Sequence, residues 1–168
     1  MSERRMTMPR VAMLPGTFAL AALMIAHGGA AVGAEPEVIE LTQTGCQFLE
    51  SENGVDHGFQ TKSKADCERI NSESGEQRLA EAKVLELPAG RYIFRVANKN
   101  VPYELGFWLR EADYQLGNPL HKLTKTSVSG GGLTLGTSKD YEVELEPGEY
   151  LYSCPLNPTP NYRLVVKG

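Results

Sequence analysis

Residues 140–154 read DYEVELEPGEYLYSC, and they carry the clearest strand pattern of the chain. In its first half Tyr141, Val143 and Leu145 alternate with three glutamates, which is the period of a strand with one buried face. Pro147 and Gly148 then provide a turn, and a second strand ends in a cysteine, Cys154. The stretch therefore predicts two strands joined by a Pro-Gly turn.

The same design occurs earlier in the chain, and other strand patterns surround it. Residues 84–98 read VLELPAGRYIFRVAN, a strand, a Pro-Ala-Gly turn and a second strand. Further strands are expected at 35–42, within YELGFWLR (103–110) and within YRLVVKG (162–168). Short strands with Pro and Gly turns between them predict an all-β sandwich or barrel.

The remaining segments carry weaker signals. Ser63 is a candidate N-cap for a short helix over Lys64–Ile70, with Asp66 in its first turn. Residues 77–83, QRLAEAK, fit either a helix or a strand. Residues 111–135 are expected to be a long loop; their SVSGGGLTLG run (127–136) lacks the Gly-Lys-Ser/Thr ending of a phosphate-binding loop.

The first 34 residues have the composition of a secretory signal peptide. Three arginines precede an apolar run from Val11 to Ala26, and Val32 and Ala34 occupy the −3 and −1 positions of a cleavage site. The alternative is a membrane anchor, but the run is short for spanning a bilayer. We therefore expect a periplasmic or secreted protein, with no stable membrane insertion once the signal is removed.

The charge of the exported part limits its partners. The chain carries a net charge of −4, and its first 34 residues hold three arginines and one glutamate, so residues 35–168 carry −6. An acidic, exported domain is a poor candidate for binding nucleic acid or an anionic membrane. A periplasmic protein partner is compatible with this charge.

Three cysteines allow one disulfide and leave one thiol. Cys46 and Cys67 lie close together in the polar N-terminal third, and export implies a compartment in which they can be oxidised. We expect these two to pair. The alternatives are that one of them pairs with Cys154 or that all three remain reduced.

With these features in place, residues 80–168 resemble the cupredoxin family. The resemblance rests on LPAGRYIFRVANKN, LEPGEYLYSCP and the closing LVVKG. Within the family, the chain is most similar to exported single-domain proteins grouped with the iron-uptake (EfeO-type) cupredoxin domains. The resemblance implies a Greek-key β-sandwich core at 80–168. From the patterns above we expect residues 35–79 to form one domain with this core, as an N-terminal strand and a short helical or loop extension clamped by the disulfide.

The resemblance also implies a copper position, which this sequence fills only in part. Copper in this family is held by a cysteine, two histidines and a weak axial methionine. Cys154 stands at the cysteine position, Tyr103 stands about where the first histidine belongs, and PLNPTPNY after Cys154 supplies neither histidine nor methionine. The site is thus a degenerate blue-copper site, and only His57 and His121 are left in the exported part, which has no methionine.

Three functions remain open at this point, none of them enzymatic. The first is handling of copper or iron at a non-blue site formed by Cys154, Tyr103 and His121. The second is a metal-free binding or assembly module that contacts a partner through Tyr103, Pro155, Asn157 and Tyr162. The third is electron transfer with unusual ligands. Cys154 itself can be an inert core residue, a metal thiolate or a reactive thiol.

Overall fold

Residues 35–168 are the part of the chain that this computed structural model describes, and they contain nine strands and two helices. The predicted signal peptide lies outside the described residues. In chain order the elements are β1 (Glu37–Thr44), β2 (Gln47–Phe48), α1 (Lys64–Glu81), β3 (Leu85–Pro88), β4 (Gly90–Asn98), β5 (Leu105–Glu111), α2 (His121–Thr124), β6 (Ser127–Leu133), β7 (Ser138–Leu145), β8 (Gly148–Ser153) and β9 (Tyr162–Lys167). No helix in this part of the chain is both long and apolar enough to cross a membrane.

The strands form two sheets that face each other. One sheet has the order β2-β1-β4-β7 and the other has the order β3-β9-β8-β5-β6. The pairs β1/β4 and β3/β9 are parallel, and the other pairs are antiparallel. Most connections cross from one sheet to the other, as in a Greek-key sandwich. The prediction of an all-β sandwich is confirmed.

The two Pro/Gly turns join strands of different sheets, so they are corners and not the tight hairpins that their sequence suggests. The chain passes from β3 to β4 at the first and from β7 to β8 at the second, and each time it changes sheet. Tyr92 donates a hydrogen bond to the Pro88 carbonyl (2.8 Å), and Tyr150 donates one to the Glu146 carbonyl (3.0 Å). The same clasp, four residues back along the chain, therefore closes both corners.

Aromatic side chains fill the space between the sheets. The ring of Phe107 on β5 lies 5.6 Å from that of Phe94 and 5.1 Å from that of Tyr141, both from the opposite sheet. Phe48 on the short strand β2 makes edge contacts with Tyr152 and other rings of the core. The apolar positions that alternate along the predicted strands point into this core. Burying their large aromatic side chains removes apolar surface from water and stabilises the sandwich.

Two segments differ from the sequence prediction. Helix α1 begins after Ser63 as expected but continues to Glu81, well beyond Ile70, so residues 77–81 are helical. Residues 111–135 contain α2 and the strand β6, where a loop was expected. Gly106 on β5 allows this strand to pack closely against β6, since a side chain at Gly106 would meet the Gly130 carbonyl oxygen at 2.8 Å.

A buried ion pair fixes α1 against the sandwich. Glu52 and Arg78 are both almost fully buried, and the Arg78 Nη2 to Glu52 Oε1 distance is 2.8 Å. Arg78 Nη2 also donates to the Cys46 carbonyl (2.8 Å), and the Tyr162 hydroxyl donates to Glu52 Oε1. Burial lowers the pKa of Arg78, but the hydrogen bonds and charge of Glu52 outweigh it and leave that pKa raised. The pair thus joins three separate elements.

The predicted disulfide is present. Cys46 and Cys67 are bonded, both are fully buried, and with Ile70 and Phe59 they form a small apolar cluster under α1. Cys154 is the one free cysteine among the described residues. The disulfide and the ion pair together hold the extension on the core.

Replacing Glu52 with glutamine should cost about 3 kcal/mol of unfolding free energy, because Arg78 is left as a buried charge without its counter-ion. Glu76→Gln is the matched control, since Glu76 is exposed on α1, the helix that carries Arg78, and forms no ion pair within residues 35–168. Urea unfolding of both variants measures the difference. Equal midpoints for the two would contradict this role of the pair.

Candidate functional site at the closing loop

The candidate site lies where β8 ends and residues 155–161, here called the closing loop, lead into β9. Cys154 is the last residue before this loop, and its side chain is 1 % exposed. Its sulfur accepts hydrogen bonds from the backbone N–H of Asn157 (3.2 Å) and of Gly106 (3.4 Å). The thiol is therefore enclosed by the loop on one side and by β5 on the other.

The surroundings of Cys154 favour the neutral thiol. Burial raises its pKa, although the two N–H donors and the nearby Gln43 side chain act in the opposite direction. Gln43 is fully buried, its Nε2 donates to the Gly106 carbonyl (2.8 Å), and its Oε1 has no hydrogen-bond partner among the described residues. A thiolate is the form that binds metals or attacks electrophiles, so this environment favours the unreactive form.

Asn157 is the centre of the closing loop. It is 0 % exposed, and its Oδ1 accepts hydrogen bonds from the Cys46 N–H (3.1 Å) and the Tyr103 hydroxyl (3.0 Å). Its Nδ2 donates to the Thr44 carbonyl (2.9 Å). Oδ1 also lies 2.9 Å from the Cys67 sulfur, which carries no proton because it is in the disulfide. This oxygen therefore accepts the Cys46 N–H and is also in reach of the Tyr103 proton.

Tyr103 lies beside Asn157 and is half-buried. Its hydroxyl is within hydrogen-bond distance of Asn157 Oδ1, Thr61 Oγ1 (3.2 Å) and the Ser63 carbonyl (3.3 Å). A phenol has one proton to donate, so it can satisfy one of these acceptors at a time. Burial raises the pKa of Tyr103, and the charge that Cys154 would carry raises it further. The phenol is therefore held in its neutral form.

The two histidines of the described chain are engaged elsewhere. His57 Nε2 lies 2.7 Å from Glu52 Oε2, and the imidazole stacks on Phe59 with 5.3 Å between ring centroids. His121 begins α2, and its Nδ1 accepts a hydrogen bond from the Gln115 N–H (2.9 Å) within its own loop. Of the predicted set, Tyr103 and Cys154 are connected because both form hydrogen bonds with Asn157. His121 is not part of this network.

These donors do not fit a copper or iron centre. The ligands at hand are a neutral buried thiol, a neutral phenol and an amide oxygen that already accepts hydrogen bonds within the protein, whereas a blue-copper site uses a thiolate and two imidazole nitrogens. Residues 35–168 contain no group of three or more histidine, cysteine, aspartate or glutamate side chains arranged to hold a metal ion. The metal assignment from sequence stays a prediction without a ligand set.

The four residues predicted to contact a partner have different exposures. Pro155 is exposed, Tyr103 is half-buried, and Asn157 and Tyr162 are both 0 % exposed. Pro155 and the neighbouring Leu156 are therefore open at the surface, whereas Asn157 and Tyr162 are enclosed in the interior. The partner-contact prediction itself stays a prediction.

A groove of about 620 Å³ beside Pro155 was missed by the sequence reasoning. Trp108, on the outward face of β5, forms part of its lining, together with Tyr114, Leu116 and Leu156. Gly130 and Gly131 of β6 also line it. The signals in the sequence were Trp108 and Leu116, but only the fold brings them beside the closing loop.

Comparison with known proteins gives a likeness of fold alone. No protein-family model matches the sequence, and no curated protein matches it. Among solved structures the chain is similar to auracyanin B, a cupredoxin, with a TM-score of 0.49 and 15% sequence identity over 82% of this chain and 94% of that chain. The sandwich assignment stands on the strand order described above. Membership of the exported, EfeO-type group stays a prediction.

Cys154 should react with a thiol reagent only after unfolding, because its sulfur is enclosed and its pKa is raised by burial. We expect one labelled thiol per chain in denaturant and almost none in the native protein, as measured by mass spectrometry. Cys154→Ser is the control and should take no label in either state. Rapid labelling of the native protein would overturn this description of the site.

Alkaline pH should destabilise the protein through its buried tyrosines. Burial raises the pKa of Tyr152 from 10.0 to about 12 and raises that of Tyr162 as well. Unfolded tyrosines lose their protons near pH 10 whereas these two keep theirs, so stability is complete below that pH and falls as the pH rises toward 12.

Phenolate absorbance and circular dichroism against pH measure this effect. We expect Tyr152→Phe, compared with the unmodified protein, to lose less stability between neutral and alkaline pH. Full ionisation of the tyrosines near pH 10 without loss of structure would contradict the prediction.

Proposed function

We propose that this protein is an exported, non-enzymatic binding module that carries no metal at the cupredoxin copper position. The observation that carries the proposal is the state of Asn157, whose buried amide joins the closing loop to Cys46, Thr44 and Tyr103. In a copper protein the metal ties such loops together through its ligands. Here hydrogen bonds and the adjacent disulfide supply that connection.

The electrostatics of the centre support the same proposal. Binding of a metal ion would require Cys154 to lose a proton in a buried environment that raises its pKa. It would also require Asn157 Oδ1 to give up hydrogen bonds that the folded chain already makes. Both costs fall on the protein, and residues 35–168 contain no methionine and engage their two histidines elsewhere.

The surface available for binding is the side of the closing loop around Pro155 and Leu156. Leu156 is 41 % exposed, and Leu116, which lines the same groove, is 67 % exposed. Exposed apolar side chains grouped at one place mark interaction sites in soluble proteins. The stiff prolines of the closing loop reduce the entropy lost on binding.

Metal content tests the proposal directly. The full chain would be expressed with its own N-terminal segment, recovered from the exported fraction, and offered copper and iron separately. We expect no stoichiometric metal and no thiolate charge-transfer band. Cys154→Ser should match the unmodified protein in metal content and in far-UV circular dichroism.

The opposite result is equally specific. A metal bound at one equivalent per chain and lost in Cys154→Ser would replace this proposal with metal handling at a non-blue site. A reversible redox wave from the same loaded protein would favour electron transfer.

A further inference from the structure

The groove beside the closing loop has a chemical character that narrows what it can bind. Its floor is the outward face of β5 and β6, where Trp108, Ser127 and Ser129 lie. Its walls come from the 112–126 segment on one side and from Pro155 and Leu156 on the other. Its volume of about 620 Å³ is within the range of about 300–1,000 Å³ that suits small organic ligands.

Trp108 is held as a rigid part of this floor. The Arg110 guanidinium lies over the indole, 3.9 Å from the ring, and the indole Nε1 donates to Ser127 Oγ (3.0 Å). Arg110 is in turn fixed by Asn161 Oδ1 (2.8 Å) and Ser153 Oγ (3.3 Å). Tyr114 contacts the indole edge-on at 6.0 Å between ring centroids. An aromatic surface fixed in this way loses little entropy when a ligand packs on it.

The charged side chains that line the groove are both basic, although the domain is acidic. Residues 35–168 carry a net charge of −6, yet the groove lining contains two lysines, Lys122 and Lys125, and no acidic residue. Lys125 is paired with Glu111 Oε2 (3.1 Å) and Asp113 Oδ2 (2.6 Å). Lys122 is exposed and has no carboxylate partner within residues 35–168. One unneutralised cation therefore stands at the rim of an apolar groove.

We propose that this groove binds a small amphipathic carboxylate: an apolar or aromatic body lies on Trp108 between Leu116 and Leu156, and its carboxylate pairs with Lys122. The inference rests on the proposed function, because it uses the same side of the closing loop and names its ligand class. An apolar body removes the exposed leucines from water. The carboxylate provides the counter-ion that Lys122 lacks within residues 35–168.

Three probes that share one apolar body test the head group. Phenylbutyrate, phenylbutanol and phenylbutylamine present a carboxylate, a hydroxyl and an ammonium group respectively. Trp108 is the only tryptophan in the sequence, so its emission reports binding in the groove directly. We expect phenylbutyrate to change the emission at the lowest concentration and phenylbutylamine at the highest.

Two groove variants and one control complete the experiment. Lys122→Gln should weaken phenylbutyrate about threefold and leave phenylbutanol unchanged, since an exposed ion pair contributes at most a few-fold to an equilibrium constant. Leu156→Ser should weaken all three probes. Lys62→Gln removes an exposed lysine that is not part of the groove and should change none of them.

Each contrary result has a distinct meaning. Equal binding of phenylbutyrate and phenylbutanol would overturn the carboxylate assignment. No emission change with any probe, or binding that neither Leu156→Ser nor Lys122→Gln alters, would overturn the groove as a small-ligand site. These results leave the metal-content test untouched, so a failure here and a failure of the proposed function can be told apart.

Discussion

The buried ion pair between Glu52 and Arg78 is the contact on which the arrangement of the candidate site depends. Arg78 binds the Cys46 carbonyl and, through Nη1, the Asn71 side chain (3.1 Å), which in turn donates to the Pro158 carbonyl (2.7 Å). Glu52 accepts the hydroxyl of Tyr162, the first residue of β9. One ion pair thus connects α1, the disulfide segment, the middle of the closing loop and the start of β9. A buried pair of this kind is costly to break from either side.

Hydrogen bonds to the N-terminal extension fix the shape of the closing loop. Asn157 bonds to Thr44 at the end of β1, and Pro158 bonds to Asn71 of α1. Tyr162, directly after the loop, bonds to Glu52. Each contact is a hydrogen bond that a folded chain can make without a cofactor. This arrangement leaves Cys154 enclosed as a neutral thiol, and it turns Pro155 and Leu156 outward beside the Trp108 groove. The same loop geometry therefore closes one site and forms the rim of another.

The same tyrosine hydrogen bond stabilises both corners between the two sheets. Tyr92 and Tyr150 clasp the two corners in the same way, each with a hydrogen bond to a carbonyl four residues earlier. At each corner the chain passes from one sheet to the other, and the apolar faces of the two sheets meet across the core. Phe107 of one sheet contacts Phe94 and Tyr141 of the other there. A Pro/Gly turn is compatible with either a hairpin or a corner, since both need a chain reversal. Which of the two forms depends on where each apolar face can be buried.

Features that depend on neighbours along the chain could be predicted from the sequence. Alternating apolar residues specified the strands and their inward faces, Ser63 marked the start of α1, and the spacing of Cys46 and Cys67 indicated their disulfide. Features that depend on residues far apart in the chain became visible only in the folded structure. They are the change of sheet at the two corners, the strand at Ser127–Leu133, and the hydrogen bond between Cys46 and Asn157, which are 111 positions apart. The reason is physical. A hydrogen bond or ion pair between distant residues leaves no periodic trace in sequence, because its partners become neighbours only when the sheets pack.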